Sequence, residues 1–234
     1  MTDIKGAVVL VTGGGRGLGK ALVTEALARG ASKVYATARD PRTIEEATGV
    51  VPLALELTDA ASVAALADQV QDVTVLINNA GVYKAASYLT GDVADVRSDF
   101  ETNFYGPLRL TQAVAPKIIA NGGGHVVNVA SVLSWVALGG SYSASKAALW
   151  SMTNALRLEL LPQGVGVTGL HVGYMDTDMA SEVTSFKSDP AEVARLTLDG
   201  VESGAFEVLA DELTRQVRSG LSADVSAIYP QLIG

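Results

Sequence analysis

The sequence predicts an α/β fold, a doubly wound parallel sheet of about seven strands with helices on both faces. Three observations point there. Short apolar runs alternate with stretches of helical period along the chain, which calls for crossover connections between parallel strands. The strand-like runs are continuously apolar rather than alternating, as strands covered on both faces are. A glycine-rich turn joins the first run to the first helical stretch.

The run from Ala7 to Val11 ends at Thr12 and the glycine cluster, after which Leu18, Leu22 and Ala26 recur at helical spacing up to Gly30. Glu25 and Arg29, four apart, are expected as an exposed pair on that helix. Strands are expected at Val34 to Ala38, Val51 to Leu55 and Val73 to Ile77, with a helix from Ala60 to Val70 before the third of these. A long helix from Asp92 to Ala120 leads to a strand at Val126 to Val129 and a helix from Tyr142 to Leu160. A strand at Val165 to Val172, a helix from Pro190 to Val201 and a last strand near Phe206 to Leu209 complete the pattern.

The 234 residues carry no tract rich in Pro, Ser or like charges that would divide them, so one domain over residues 1–234 is expected. A hydrophobic fraction of 48% with 24 glycines fits a tightly wound enzyme rather than a disordered or fibrous chain. The formal charge of −8 repels phosphate backbones and acidic carrier proteins, so nucleic acid is not an expected partner. With no cysteine, disulfides, thiolate catalysis and thiolate metal sites are excluded, and no metal is expected. His125 and His171 lie inside apolar runs and read as core or strand-end histidines. Met1-Thr2-Asp3-Ile4-Lys5 shows no export signal and no apolar run is long enough to span a bilayer, so the cytoplasm, away from membranes, is the expected location.

Thr12-Gly13-Gly14-Gly15-Arg16-Gly17-Leu18-Gly19 closes the first strand and opens the first helix. Glycines let the backbone turn sharply and approach a pyrophosphate, which then rests on the positive end of the helix. A tight turn packed against the sheet is the other reading. The spacing Thr-Gly-x-x-x-Gly-x-Gly departs from the usual dinucleotide fingerprint, and at this point the chain resembles the short-chain dehydrogenase/reductase family. The resemblance recurs at Asn78-Asn79-Ala80-Gly81, at Asn103, at Ser131 and at Tyr142-Ser143-Ala144-Ser145-Lys146, and it spans residues 12 to 179 in the family's order.

The resemblance implies a Rossmann-type domain and an NADP-preferring carbonyl reductase-like oxidoreductase. It implies cofactor contacts at Gly13, Gly15, Arg16, Gly17, Leu18, Gly19, Leu57, Asn79, Ala80, Gly81, Gly173 and Thr177, with Tyr142 and Lys146 serving both cofactor and chemistry. Glu56, in Glu56-Leu57-Thr58-Asp59, stands where the family's adenine-contacting aspartate usually lies. A homodimer or homotetramer through the helices 92–120 and 142–160 is implied as well, with Phe104, Leu108, Trp150 and Leu158 as candidate contacts.

The choice between dinucleotides depends on the end of the second strand, where a carboxylate binds a ribose 2′-hydroxyl and an arginine accepts a 2′-phosphate. The stretch reads Ala36-Thr37-Ala38-Arg39-Asp40, and the family's acidic position falls on Ala38 with Arg39 beside it. Arg39, with Arg16 in reach of the same phosphate, favours NADP(H). Asp40 moving inward would select NAD(H) instead.

Tyr142 and Lys146, four apart, project from one face of a helix. A phenol with its ordinary pKa of about 10 is a poor base at neutral pH, and a nearby cation favours the phenolate. Lys146 and an oxidised nicotinamide are expected to share that task, with Tyr142 as general acid in reduction and general base in oxidation. Ser131 supplies a hydroxyl to the substrate oxygen. Asn103 resembles the family residue that holds a water linking Lys146 to solvent.

Two departures from the family stand out. The step from Ser131 to Tyr142 is eleven residues, two shorter than expected, with Ser134 the worse candidate serine. Val172 replaces the proline that usually precedes Gly173, which loosens that turn. The expected substrate is a compact, mainly apolar ketone or secondary alcohol. Val132, Leu133, Trp135, Val136 and Leu138 would wall the pocket, a lid over 175–187 would add Met179 and Phe186, and only Lys84 and Lys187 would offer positive charge. The competing readings are a dinucleotide-sensing protein without chemistry and a ketoacyl reductase.

Overall fold

The structure, a computed structural model, describes residues 2–177, 184 and 187–233. Its centre is a seven-stranded sheet in the order β3-β2-β1-β4-β5-β6-β7. The strands are β1 (Val8–Thr12), β2 (Lys33–Ala38), β3 (Val50–Ala54), β4 (Val75–Asn78), β5 (Gly124–Val129), β6 (Val165–His171) and β7 (Glu207–Leu209), and every pairing is parallel. This is the expected doubly wound Rossmann-type α/β architecture.

The helices are α1 (Gly17–Ala28), α2 (Ala60–Gln69), α3 (Val93–Phe100), α4 (Gly106–Ala120), α5 (Gly140–Leu160), α6 (Pro190–Ser203), α7 (Glu212–Gly220) and α8 (Val225–Ile228). Side chains along each strand alternate between two cores. Val9 and Val11 pack with Leu18, Leu22 and Ala26 of α1 and Val193, Leu198 and Val201 of α6. Leu10 faces the other way, with Leu66 of α2 and Leu110, Val114 and Ile118 of α4. Both faces are covered, which is why the strand sequences show no polar alternation.

The chain winds outward from β1 through β2 to β3, then crosses back to β4 on the other side of β1. The crevice beyond the C-terminal ends of β1 and β4 is the place where such sheets bind ligands.

Three expectations change. The long helix from Asp92 is not continuous: a π-helical turn, Glu101–Tyr105, separates α3 from α4 and carries Asn103. Arg29 does not simply pair with Glu25 on an exposed face. Its guanidinium also binds Asp199 (2.8 Å) and Glu202 (2.7 Å), joining α1 to α6. α5 starts two residues earlier than expected, at Gly140. Among the described residues no helix is long and apolar enough to cross a membrane.

Candidate active site

The glycine turn leaves β1 at Thr12 and is held from β4. The Thr12 hydroxyl accepts the amides of Asn79 and Ala80, both at 2.9 Å, and the Asn79 side chain donates to the Thr12 carbonyl at 2.8 Å. Asn79 and Ala80 therefore shape the turn from behind.

Gly13 and Gly17 have φ of +68° and +49°, which favours glycine. A Cβ on Gly19 would lie 2.0 Å from the Gly13 carbonyl oxygen, so the helix rests directly on the turn. Gly14, which the sequence reading left unassigned, lies against Ala36 of β2, where a Cβ would approach to 2.9 Å. The N-cap, Arg16, is extended and no side chain caps α1, so the first amides of the helix remain available to an anion. Thr177 lies over this end, its Cγ2 3.1 Å from where a Gly17 Cβ would be. These features fit a pyrophosphate.

At the end of β2, Arg39 is exposed. Asp40 caps the following 3-10 turn, accepting from the Arg42 amide (3.1 Å), Nε (2.9 Å) and Nη2 (2.8 Å). Glu56 is exposed, and its carboxylate accepts from the Thr58 hydroxyl at 2.8 Å. Leu57 is buried against Gly106 of α4, so its side chain belongs to the core.

Across the crevice, Asn103, Ser131, Tyr142 and Lys146 are all buried. The Lys146 Nζ donates to the Val129 carbonyl at 2.7 Å and lies 5.7 Å from the centre of the Tyr142 ring. Burial pulls its pKa down from 10.5 to about 8, against the opposing pull of Asp99. Burial raises the pKa of the Tyr142 phenol above its ordinary value, the Ser131 hydroxyl works against that rise, and the charges of Tyr83 and Asp99 add to it. A protonated phenol is the form a general acid needs.

Asn103 bonds the Val82 peptide on both sides, accepting from its amide (2.9 Å) and donating to its carbonyl (3.0 Å), and also donates to the Ser145 hydroxyl (3.0 Å). Both amide hydrogens are used. A bridging water would therefore meet the remaining lone pair of Oδ1, which lies beside Gly81 together with the Lys146 Nζ.

The short step from Ser131 to Tyr142 is closed by local bonds. Ser131 caps the 3-10 turn Val132–Ser134, its Oγ accepting from the Leu133 amide (3.1 Å), while Ser134 Oγ accepts from the Ser131 amide (3.2 Å). Ser134 is thus a cap, and the Ser131 O–H remains to donate. Ser143 then accepts from the Gly139 amide at 2.9 Å and tightens the entry to α5.

After β6, Val172 stands where a proline was expected, and the turn is held by Asp211 instead. Its Oδ2 accepts the Gly173 amide at 2.6 Å, and its Oδ1 accepts the Thr214 amide and hydroxyl at 2.7 and 2.6 Å. Met179 and Phe186 of the expected lid lie outside the described residues.

Val132 and Val136 are buried, and Trp135 stacks on His171 at 4.0 Å. Leu138 is exposed, as are Tyr83 and Tyr174. Tyr83 sets its ring against Tyr142 at 4.8 Å. Both histidines are core residues, and burial pulls each down to about 4. His171 Nδ1 contacts the Ser131 carbonyl at 3.2 Å, so the neutral ring carries its proton there.

Sequence reasoning missed Asp99, Ser141 and Asp211. Asp99 had a signal, since it lies four residues before Asn103 and so shares its helix face. Asp211 had another, an Asp three residues before a Thr at the start of a helix.

Residues 7–188 match the family model for short chain dehydrogenase. A short chain dehydrogenase from Burkholderia cenocepacia, solved in complex with NADP, superposes with a TM-score of 0.94 at 37% identity over 99% of each chain. The ketoacyl reductase HetN of Nostoc is 30% identical over 91% of this chain and 81% of its own length. The NADPH-dependent 1-acyldihydroxyacetone phosphate reductase of Schizosaccharomyces pombe is 38% identical over 74% of this chain, which spans only 62% of that relative. Solved structures of similar chains hold NADP in one case and NAD in another.

Proposed function

The chain belongs to the short-chain dehydrogenase family of oxidoreductases, and we propose that it exchanges a small, mainly apolar ketone for a secondary alcohol with NADP(H). The observation that carries this reading is the burial of Tyr142, Lys146, Ser131 and Asn103 together, across the crevice from the uncapped end of α1. A bound nicotinamide dinucleotide supplies or accepts the hydride.

The protein's own residues do the rest. The Ser131 O–H donates to the substrate oxygen, where negative charge develops during reduction. Tyr142 passes its proton to that oxygen and recovers one afterwards. Lys146 has donors left after binding Val129 and supports the recharged phenol. Asn103 holds the Val82 peptide in place beside them.

Gly13, Gly15, Gly17, Leu18 and Gly19 cradle the pyrophosphate, with Asn79, Ala80 and Gly81 behind it and Gly173 and Thr177 above. Arg39 and Arg16 bind the 2′-phosphate, and Asp40's engagement with Arg42 supports NADP(H) over NAD(H). The two lysines nearest the mouth are already paired, Lys84 with Asp95 (3.3 Å) and Lys187 with Asp176 (3.6 Å). That pairing, with Tyr83, Tyr174 and Leu138 at the surface, supports an apolar substrate over an anionic one. Residues 1–234 act as one domain in this reading, in the cytoplasm and as a homodimer or homotetramer.

The test is Tyr142→Phe, assayed by NADPH oxidation on a panel of ketones and aldehydes. Loss of one transferable proton lowers kcat on the order of a hundredfold or more while cofactor affinity holds. Activity within about threefold of the parent removes Tyr142 from its role. A parent that binds the dinucleotide yet turns over nothing is a sensor.

The likeness to HetN favours one second reading, reduction of ketoacyl groups. Turnover of carrier-linked but not of free substrate would establish it.

A further inference from the structure

Asp99 closes the last turn of α3 and is fully buried. Its Oδ1 accepts the Lys84 amide at 3.0 Å, and its Oδ2 accepts the Ala85 amide at 3.1 Å and the Ser141 hydroxyl at 2.6 Å. The ammonium of Lys84 turns away to Asp95. A carboxylate taken out of water and met only by amides and a hydroxyl leaves its charge facing the rest of the site.

The backbone it holds is strained. Ala85 has φ of +51°, a left-handed conformation that disfavours any residue with a Cβ. Ser141 completes the clamp, its Oγ accepting the Ala86 amide (2.9 Å) and its own amide donating to the Ala86 carbonyl (3.1 Å). With Asn103 on Val82, the segment 82–86 is bonded to α3, the π turn and the start of α5 on both sides of Tyr83, at Val82, Lys84, Ala85 and Ala86. This segment carries Tyr83, whose ring lies on Tyr142, the residue after Ser141.

We infer that Asp99 is a positioning residue of this site: its carboxylate pins the backbone that seats Tyr83 on Tyr142, and it sets a buried negative charge on Ser141, the residue before Tyr142. The inference rests on the reading of Tyr142 and Lys146 as the reacting pair. Asp99 raises the pKa of Tyr142, Lys146 and Tyr83 alike. The other groups facing these three are Ser131 and Tyr83 on Tyr142, the Val129 carbonyl on Lys146, and Tyr174 on Tyr83. Removing the charge lets both Tyr142 and Lys146 release protons at lower pH, so a limb of the pH–rate profile governed by either moves the same way.

The experiment compares Asp99→Asn and Asp99→Ser with the parent and with Ser141→Ala, which breaks the clamp but keeps the charge. The readouts are the pH–rate profile on a ketone the parent reduces and an NMR titration of the Lys146 side chain, identified by its loss in Lys146→Met. The expected result is an acid shift of about one pH unit in both readouts for the folded Asp99 variants. Ser141→Ala is expected to lose rate with its limb in place. A limb and a Lys146 titration that stay within about 0.2 unit of the parent, or move to higher pH, overturn the inference even where kcat falls. The NMR arm needs no turnover, so a parent inactive on every ketone refutes the reduction reading while the titration still decides the role of Asp99.

Discussion

Lys146→Met should make the protein more stable at neutral pH while it destroys activity. An ammonium whose pKa falls from 10.5 to about 8 on burial costs the folded state ~3 kcal/mol at pH 7, at about 1.4 kcal/mol per pH unit. Methionine fills a similar volume without that cost. It also gives up the bond to the Val129 carbonyl, a loss of about 1 kcal/mol. The net gain expected at pH 7 is ~2 kcal/mol. Because the folded-state pKa lies below the unfolded one, the cost is complete below pH 8 and fades as the pH rises from about 8 to 10.5. The advantage of the variant over the parent should fade across that interval. Denaturant titrations of both proteins at pH 7 and pH 10 measure it, and the difference between them cancels the other titrating groups. A variant less stable than the parent at pH 7, or an advantage equal at both pH values, would refute the argument. The lysine would then be shown to lie in a wetter site than its burial describes.

Arg39→Ala should lower kcat/KM with NADPH by about ten- to a hundredfold and leave NADH within about threefold, since only a charge-assisted contact to the 2′-phosphate is lost. A parent that prefers NADH would shift attention to Asp40. Leu158 near the end of α5 and Leu161 just beyond it are both exposed, so Leu158→Glu should push the protein toward monomer in light scattering. A parent that is monomeric at micromolar concentration removes that interface. Efficiency should rise as alkyl or aryl groups are added to a small ketone, at roughly 25 cal/mol per Å² of apolar surface buried, and should fall when a phosphate or carboxylate is introduced. A preference for anionic substrates would show that the pairs Lys84–Asp95 and Lys187–Asp176 open in use.

What could be read from the sequence and what could not separate along a physical line. The sheet was legible because burial on both faces writes a continuous apolar run, and the glycine turn because a positive φ at Gly13 and Gly17 writes its own residue type. The spacing of Tyr142 and Lys146 placed them on one helix face, since a helix converts a separation of four into proximity. The π turn at Glu101–Tyr105 left no such mark, because it inserts one residue without altering composition or period enough to notice. Asp99, Ser141 and Asp211 are harder to read for a different reason: apart from Thr214, three residues after Asp211, their partners lie 14 to 55 residues away along the chain, and a local spacing or cap signal does not say which distant groups the fold brings to them. The same distinction accounts for the two departures from the family. The short step to Tyr142 looked like a deficit and is closed by Ser131, Ser134 and Ser143, whose bonds are local. The missing proline before Gly173 looked like a loosened turn, and it is offset by a carboxylate 38 residues away that accepts the Gly173 amide. Local repairs can be anticipated from spacing, whereas a distant one becomes visible only once the chain has folded.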